Sequence, residues 1–305
     1  MNAPDRSFLP TATLDMLRRR AELLARMRHF FAVRDFLEVE TPILSHDVVV
    51  DRHLDPLGVT LFRDPREPTR GQPLWLQTSP EFGMKRLLAA GATAIFQITK
   101  VFRGGEVGRL HNPEFTLVEW YRVGDDYAAG RRLLGELAAE ILGRGPPDEL
   151  TFATAFHRHA GVDPHGLDDF VIDELLTSQV DPHLGRGRPT ILFDYPASQA
   201  ALAQVRPGPP AVAERFELYV DGIELANGYH ELLDPAILRE RNRTNNAARI
   251  SDGKPALPAE SRLLAAMEQG LPPCSGCALG FDRLVMVATG AKSIAEVLAF
   301  PMERA

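Results

Sequence analysis

The stretch FRGGEVGRLHNPEFTLVEWY, residues 102–121, predicts an arginine at the end of one strand and a polar loop that leads into a second strand. Residues 94–102 and 115–121 are rich in β-branched and aromatic residues, with apolar side chains near a period of two. The connection, 104–112, is too long for a two-residue turn and closes on Asn112-Pro113. We therefore expect a hairpin whose long loop carries function.

The residues immediately before this hairpin predict a helix. Within QTSPEFGMKRLLAAG, residues 77–91, Ser79 stands where an N-cap belongs, Pro80 follows at the first helical position, and Gly91 lies just past the end. Capping and the helix dipole are sufficient to explain Ser79, Pro80 and Glu81. A binding role for these residues needs further support.

Two elements precede that helix. Apolar residues between Leu14 and Phe31 recur at helical spacing, with Thr13 as the expected N-cap. Residues 36–44 (FLEVETPIL) alternate like a strand and contain Pro42, which cannot donate to a ladder and therefore favours an edge.

Beyond the hairpin, the pattern predicts a helix over 128–142 and a strand over 190–196. From residue 214, alternating apolar residues flank the turn signal Asp221-Gly222, which indicates a second hairpin. Glu224 on its returning strand faces away from the apolar residues on either side, a common arrangement in half-buried strands.

The last pattern is CALGFDRLVMVATG, residues 277–290, in which Gly280 precedes a helix with Asp282 and Arg283 in its first turn. Asp282 suits the positive end of the helix dipole, whereas Arg283 opposes it at a cost of up to about 1 kcal/mol. An arginine held there predicts a bound anion.

Composition limits the possible functions. The chain has 305 residues, 45% of them hydrophobic, and a formal net charge of −7, which argues against a large basic surface for nucleic acid. Its first residues, MNAPDRSFLPTATL, contain no apolar signal core, so we expect a cytoplasmic protein and no membrane partner. Two cysteines, Cys274 and Cys277, do not imply a disulfide framework.

These motifs resemble those of class II aminoacyl-tRNA synthetases. The resemblance implies an α+β fold, an antiparallel β-sheet flanked by helices, and dimerisation through the helix and strand of 14–44. It implies that Arg103 holds the α-phosphate of ATP and the carboxylate being activated, and that Arg283 contacts the γ-phosphate. The other nucleotide contacts that it implies are Gly104, Gly105, Asn112, Glu224, Leu225 and Gly280.

HNPEFTLVEWY and ELANGYHEL are similar to segments of the lysyl branch of this class. That similarity implies that Glu224 and Glu231 hold Mg²⁺ on the ATP phosphates, where the metal keeps water and phosphate ligands. It also implies a pocket for a lysine-type amino acid, formed by Ser79, Pro80, Glu81, Glu119, Tyr121, Asn227 and Glu231.

Within the lysyl branch, the chain resembles short paralogues that attach (R)-β-lysine to a lysine side chain of elongation factor P. We expect a tail over 1–13 and a catalytic domain over 14–305 without an anticodon-binding domain, which argues against a full lysyl-tRNA synthetase. Ala278, where lysyl-tRNA synthetases tend to carry glycine, favours the same paralogues. L-Lysine remains an alternative donor.

One departure leaves a second hypothesis open. In the motif at 102–121, members of this branch usually carry the sequence Arg-Asn-Glu-Glu, but here the residues are Arg103-Gly104-Gly105-Glu106. Either Glu106 substitutes for the missing carboxylate, or nucleotide contacts are weakened. In the latter case the protein would be a non-catalytic sensor of an amino acid or nucleotide.

Overall fold

Eight α-helices and two β-sheets make up the part of the chain that the computed structural model describes, residues 8–305 without 65 and 68. The helices are α1 (Leu14–Ala32), α2 (Glu81–Ala89), α3 (Tyr127–Leu142), α4 (Phe152–His159), α5 (Asp169–Leu175), α6 (Pro235–Ser251), α7 (Arg262–Gly270) and α8 (Phe281–Thr289). The strands are β1 (Leu37–Glu38), β2 (Leu44–Ser45), β3 (Gly58–Phe62), β4 (Gly71–Leu76), β5 (Ala94–Phe102), β6 (Glu114–Val123), β7 (Asp148–Thr151), β8 (Thr190–Pro196), β9 (Val205–Arg206), β10 (Val212–Val220), β11 (Ile223–His230) and β12 (Cys274–Gly280).

The large sheet has the order β1-β5-β6-β12-β11-β10-β8-β7, with β9 paired to β10. Its central pairs are antiparallel, and only the pairs at the two ends, β1 with β5 and β7 with β8, are parallel within the described residues. The small sheet has the order β2-β4-β3. The predicted α+β class with an antiparallel sheet and flanking helices is confirmed.

Both predicted hairpins are present. β5 and β6 pair antiparallel from Ala94 opposite Arg122 to Phe102 opposite Glu114. β10 and β11 join through Asp221 and Gly222, which both have positive φ angles (54° and 79°) as a two-residue hairpin turn requires.

Two predicted elements differ in detail. Residues 36–44 form two short strands in different sheets rather than one, because Pro42 lies between them and cannot donate to a ladder. Helix α2 begins at Glu81, with Pro80 rather than Ser79 at the N-cap. The Ser79 hydroxyl nevertheless accepts a hydrogen bond from the Glu81 amide at 3.0 Å, so it satisfies one free amide of the first turn.

Alternation along the central strands separates a packed face from a cavity face. Val118 and Trp120 of β6 and Cys277 and Leu279 of β12 belong to a buried core. The other residues of that core include Met27, Phe30 and Phe31 of α1, Leu133, Leu134 and Leu137 of α3, and Leu284 and Val285 of α8. The intervening residues of β6 and β12 face the opposite side, where α2 and α6 contribute to the walls of a cavity and α7 packs against α2.

Among the described residues, none of the helices combines the length and the apolar character needed to cross a lipid bilayer.

Candidate active site

A cavity of about 810 Å³ lies over the central strands β6, β12 and β11. Most residues predicted from the sequence line it: Ser79, Glu81, Arg103, Asn112, Glu119, Tyr121, Glu224, Leu225, Asn227, Glu231, Gly280 and Arg283. Pro80, Gly104 and Gly105 are outside the described lining residues. The structure therefore brings together residues that are up to two hundred positions apart in the chain.

Small residues form the floor of the cavity. Gly276 and Ala278 of β12 pair with Tyr121 and Glu119 of β6, so all four face the same side of the sheet. A β-carbon at Gly276 would lie 2.2 Å from Cε1 of Tyr121 and 2.5 Å from Oε1 of Glu231. Glycine at this position is required for Tyr121 and Glu231 to lie where they do.

One end of the cavity is acidic. Glu119 is 1% exposed, and its carboxylate accepts hydrogen bonds from the Tyr121 hydroxyl at 2.7 Å and from the Ser79 hydroxyl at 2.8 Å. Glu81 and Glu231 are also buried, and Nζ of Lys85 lies 2.5 Å from a carboxylate oxygen of each. Three carboxylates and one ammonium therefore share this end of the cavity.

Burial changes the proton affinity of these groups. Desolvation, together with the nearby charge of Glu81, raises the pKa of Glu119 to about 8. Burial also raises the pKa of Glu231 to about 7, although Lys85 acts in the opposite direction. Such carboxylates gain from an added cation, because it favours their charged form and replaces the water that burial removed.

Asn227 adds an acceptor beside this acidic end. Its side-chain amide donates to the Tyr229 hydroxyl at 2.9 Å, while Oδ1 is buried without a hydrogen-bond partner among the described residues. A buried acceptor left unpaired costs free energy, and a bound ammonium group would satisfy it.

The other end of the cavity is basic. Arg103 continues the β5–β6 ladder through its amide, which donates to the Pro113 carbonyl at 2.9 Å, and its guanidinium lies 5.1 Å from the centre of the Phe115 ring. Arg283 in the first turn of α8 donates to the Glu224 carbonyl at 3.0 Å. Both arginines line the cavity.

His111 lies beside Arg283, with 2.6 Å between its Nε2 and Nη2 of the arginine. Desolvation and the positive charge of Arg283 lower the pKa of His111, so the neutral ring can accept this hydrogen bond. The sequence analysis did not assign His111 a role.

A buried ion pair fixes the start of α8. Asp282 accepts a hydrogen bond from the Thr116 amide at 2.7 Å, and Oδ1 of Asp282 lies 2.5 Å from Nη1 of Arg20. Helix α8 is thereby joined to β6 and α1, which fixes the position of Arg283 relative to Arg103.

The two glycines that depart from the motif fit their surroundings. The Gly104 amide donates to the Asp55 carbonyl at 2.6 Å, and a β-carbon at 104 would lie 3.2 Å from that oxygen. Gly105 has a φ of +77°, which favours glycine. Next to them, Glu106 lines the cavity, with 3.9 Å between its carboxylate and Arg103 Nη1. Glu106 is therefore placed where it could supply the missing carboxylate.

Asn112 has its side chain committed within the protein. Nδ2 donates to the Glu114 carbonyl at 2.6 Å, and Oδ1 accepts from the Met302 amide at 2.9 Å. Its side-chain amide therefore fastens the loop to the C-terminal turn, although the residue also lines the cavity.

The structure does not bring Glu224 and Glu231 together as a pair. Seven residues of extended strand separate their Cα atoms by about 23 Å, which two glutamate side chains cannot span. Glu231 is instead paired with Lys85 at the acidic end. The prediction that Glu224 and Glu231 hold one Mg²⁺ ion together is therefore wrong.

Glu217 of β10 is a carboxylate that lies close to Glu224. Glu224 pairs with Tyr219 across the hairpin, and Glu217 lies two residues from Tyr219 on the same face. The pKa of Glu224 is raised by burial and then by the negative charge of Glu217. Glu217 is buried and accepts hydrogen bonds from Arg215 and from the Tyr219 hydroxyl.

Two signals could have revealed the residues that the sequence analysis missed. Lys85 follows Glu81 by four residues on a predicted helix, the spacing of a helical ion pair. Counting back across the predicted two-residue turn places Glu217 on the same face as Glu224.

Comparison with known proteins agrees with this arrangement. The chain belongs to the class II tRNA synthetases: the family model of tRNA synthetases class II (D, K and N) matches residues 10–304. The chain is also similar to proteins described as elongation factor P–(R)-β-lysine ligases. One from Klebsiella pneumoniae (strain 342) is 44% identical over 322 residues, which cover 98% of each chain. Those of Salmonella paratyphi B (strain ATCC BAA-1250 / SPB7) and Salmonella schwarzengrund (strain CVM19633) are 43% identical with the same coverage.

Proposed function

We propose that this chain is an ATP-dependent ligase that activates (R)-β-lysine as an aminoacyl-adenylate and transfers it to a lysine side chain of elongation factor P. The observation that carries the proposal is the distribution of charge in the cavity: three carboxylates share one lysine at one end, whereas Arg103 and Arg283, with Glu106 and Glu224 beside them, line the other. An amino acid with ammonium groups and a carboxylate would span it, with the carboxylate directed to the arginines. The relatives with this described activity support the same donor and acceptor.

In the first step, a carboxylate oxygen of the amino acid attacks the α-phosphorus of ATP, and the bond to the leaving pyrophosphate breaks. Arg103 would contact both the carboxylate and the α-phosphate, and Arg283 the γ-phosphate. Fixed guanidinium groups stabilise the charge of the transition state without reorganisation. The described side chains would act by positioning and by charge, with no covalent enzyme intermediate.

In the second step, the uncharged ε-amine of the acceptor lysine attacks the acyl carbon of the adenylate. An amide bond forms, AMP leaves with the electrons of the acyl–oxygen bond, and the attacking nitrogen loses a proton. The acceptor would enter through the open side of the cavity.

The ammonium groups of the donor would be held by the acidic end. Glu119 and Glu231 supply buried carboxylates, and Asn227 supplies an unpaired acceptor. The remaining residues that we assign to the amino acid are Ser79, Glu81 and Tyr121, with Pro80 holding the start of α2 between the first two. The nucleotide would contact Leu225 and Gly280 in addition to the two arginines and Glu224, while Gly104, Gly105 and Asn112 would hold the loop that follows Arg103 in place.

Mg²⁺ would be held by Glu217 and Glu224. Their mutual repulsion favours a cation between the buried Glu217 and the part-exposed Glu224, and carboxylate oxygens are the ligands that Mg²⁺ prefers. Two carboxylates leave positions for phosphate oxygens and water. When bound, the metal would supply charge neutralisation on the phosphates of ATP.

We further propose a catalytic domain over 14–305 that acts as a homodimer in the cytoplasm. Exposed apolar residues on and next to α1 and β1, including Leu14, Val33 and Leu37, give a surface for a second copy. The net charge of −7 supports a protein acceptor rather than stable nucleic-acid binding.

The proposal is tested by incubating the protein with ATP, Mg²⁺, (R)-β-lysine and purified elongation factor P, followed by intact-mass analysis of the factor. We expect one added lysyl mass with the wild type and none with Arg103→Ala. Modification that does not depend on ATP, or an equal yield with Arg103→Ala, would contradict the proposal.

A further inference from the structure

A buried lysine lies behind the acidic end of the cavity. Lys85 of α2 is 2% exposed, and its Nζ lies 2.5 Å from Oε1 of Glu81 and 2.5 Å from Oε2 of Glu231. It is absent from the described residues that line the cavity. Lys85 therefore acts on a bound molecule through its neighbours: the two carboxylates that it joins and the ring of Tyr121, whose centre lies 5.8 Å from Nζ.

These two carboxylates need a cation between them. Because both contact the same nitrogen, their oxygens lie at most about 5 Å apart, a separation at which like charges disfavour joint ionisation. Burial adds to this penalty, since an isolated charge away from water is costly. The positive charge of Lys85, which contacts both carboxylates, offsets their repulsion and holds them in one geometry.

Lys85 also sets the net charge of the pocket. Glu81, Glu119 and Glu231 carry three negative charges when ionised, and Lys85 carries one positive charge. Glu119 is held by the hydroxyls of Tyr121 and Ser79 rather than by a cation. Once a cationic ligand favours the ionised form of all three carboxylates, the balance is two negative charges. That charge matches a ligand with two ammonium groups and is only half neutralised by a ligand with one.

We infer that Lys85 is a positioning residue that selects amino acids with two ammonium groups, by holding Glu81 and Glu231 in place and fixing the pocket at two negative charges. The inference rests on the proposed function for the identity of the donor. Loss of Lys85 leaves Glu81 and Glu231 free to share a proton or to draw a substrate ammonium into the vacated position. Either change misplaces the donor relative to Arg103.

The test compares wild type with Lys85→Met, Lys85→Arg and the control Lys100→Met. Lys100 is a half-exposed lysine of β5 whose partner is Glu114, at 3.3 Å. ATP–pyrophosphate exchange is measured with (R)-β-lysine and with (R)-3-aminohexanoic acid, which lacks only the terminal amine. For each acid it gives kcat, the KM for the acid and the KM for ATP. Calorimetry measures binding of both acids without ATP, and thermal unfolding reports folding.

For Lys85→Met we expect the KM and the dissociation constant for (R)-β-lysine to rise about tenfold or more, with an unchanged KM for ATP. Its preference for (R)-β-lysine over (R)-3-aminohexanoic acid should fall by a similar factor. Lys85→Arg keeps the positive charge and should retain part of the preference. It therefore tests the inference even if Lys85→Met does not fold. Lys100→Met should behave as wild type.

Three results would overturn the inference: an unchanged preference in folded Lys85→Met, an equal rise in the KM for ATP, or a Lys85→Arg protein that is folded but has lost all preference. A wild type that binds (R)-β-lysine but shows no exchange would refute the proposed function and leave the Lys85 inference to be decided by calorimetry. A wild type that does not bind the diammonium acid would refute both.

Discussion

Replacing Gly276 by alanine should damage the amino-acid end of the cavity and spare the nucleotide end. The added β-carbon would lie 2.2 Å from Cε1 of Tyr121 and 2.5 Å from Oε1 of Glu231. Favourable contacts between carbon atoms are about 3.5–4.0 Å, so the tyrosine ring must move by more than about 1 Å. Tyr121 is tied to Glu119 by its hydroxyl at 2.7 Å, so that carboxylate will be displaced too.

Overpacking of a buried site typically costs about 1–3 kcal/mol of stability. If about 2 kcal/mol of the binding free energy of the amino-acid donor is also lost, the KM for the amino acid rises about 30-fold. The KM for ATP should stay near that of wild type, because Arg103 and Arg283 lie at the other end of the cavity.

The assay is ATP–pyrophosphate exchange with varied (R)-β-lysine and then with varied ATP, together with thermal unfolding. Gly58→Ala serves as the control, since its β-carbon would approach no closer than 3.5 Å, to Trp75, an ordinary contact. An unchanged KM for the amino acid in Gly276→Ala, or an equal rise in both KM values, would refute the reasoning.

Three further predictions follow from the same geometry. Glu217→Gln should raise the Mg²⁺ concentration for half-maximal exchange by roughly tenfold and leave the KM for the amino acid unchanged; an unaltered Mg²⁺ titration would remove Glu217 from the metal site. Asp282→Asn should lower the free energy of unfolding by about 3 kcal/mol in denaturant titration, because it removes the charged partner of the largely buried Arg20 guanidinium, and full stability would contradict this role. Burial raises the pKa of Glu119 from 4.5 to about 8, so the folded protein binds a proton that the unfolded chain releases. The free energy of unfolding of the ligand-free protein should therefore fall as the pH rises from 4.5 to about 8, and it should fall less in Glu119→Gln. An equal dependence on pH in both proteins would count against the raised pKa of Glu119.

Local patterns were sufficient to predict the elements that carry the two arginines. The β5–β6 hairpin follows from alternation and a long glycine-containing loop, and α8 follows from Gly280 and an apolar helical pattern. The position of Arg283 against the helix dipole also indicated an anion site, and the structure places this residue in the cavity with Arg103.

Residues whose role depends on contacts between distant segments were not predictable in the same way. Gly104 looked like a weakness in the motif, but its closeness to the Asp55 carbonyl depends on a segment nearly fifty residues earlier. The Mg²⁺ prediction paired Glu224 with Glu231 through the similarity of this segment to the lysyl branch, whereas the extended strand separates them and the hairpin brings Glu217 close. The family resemblance therefore pointed to β11, which carries Glu224, and the pairing of β10 with β11 showed that Glu217 is its neighbour.

Lys85 shows a second limit. Its spacing from Glu81 is visible in the sequence, but an ordinary exposed helical ion pair has the same spacing. Only the tertiary contact with Glu231 shows that Lys85 forms a buried ion pair rather than a surface one.

The central claim is tested most directly by ATP–pyrophosphate exchange with Mg²⁺, without any acceptor, comparing (R)-β-lysine with L-lysine and the other amino acids. We predict exchange that is strongest with (R)-β-lysine and is abolished in Arg103→Ala. Exchange strongest with L-lysine would contradict the proposed donor while leaving the ligase chemistry intact. No exchange with any amino acid would contradict the ligase itself and favour a sensor that binds its ligand without activating it.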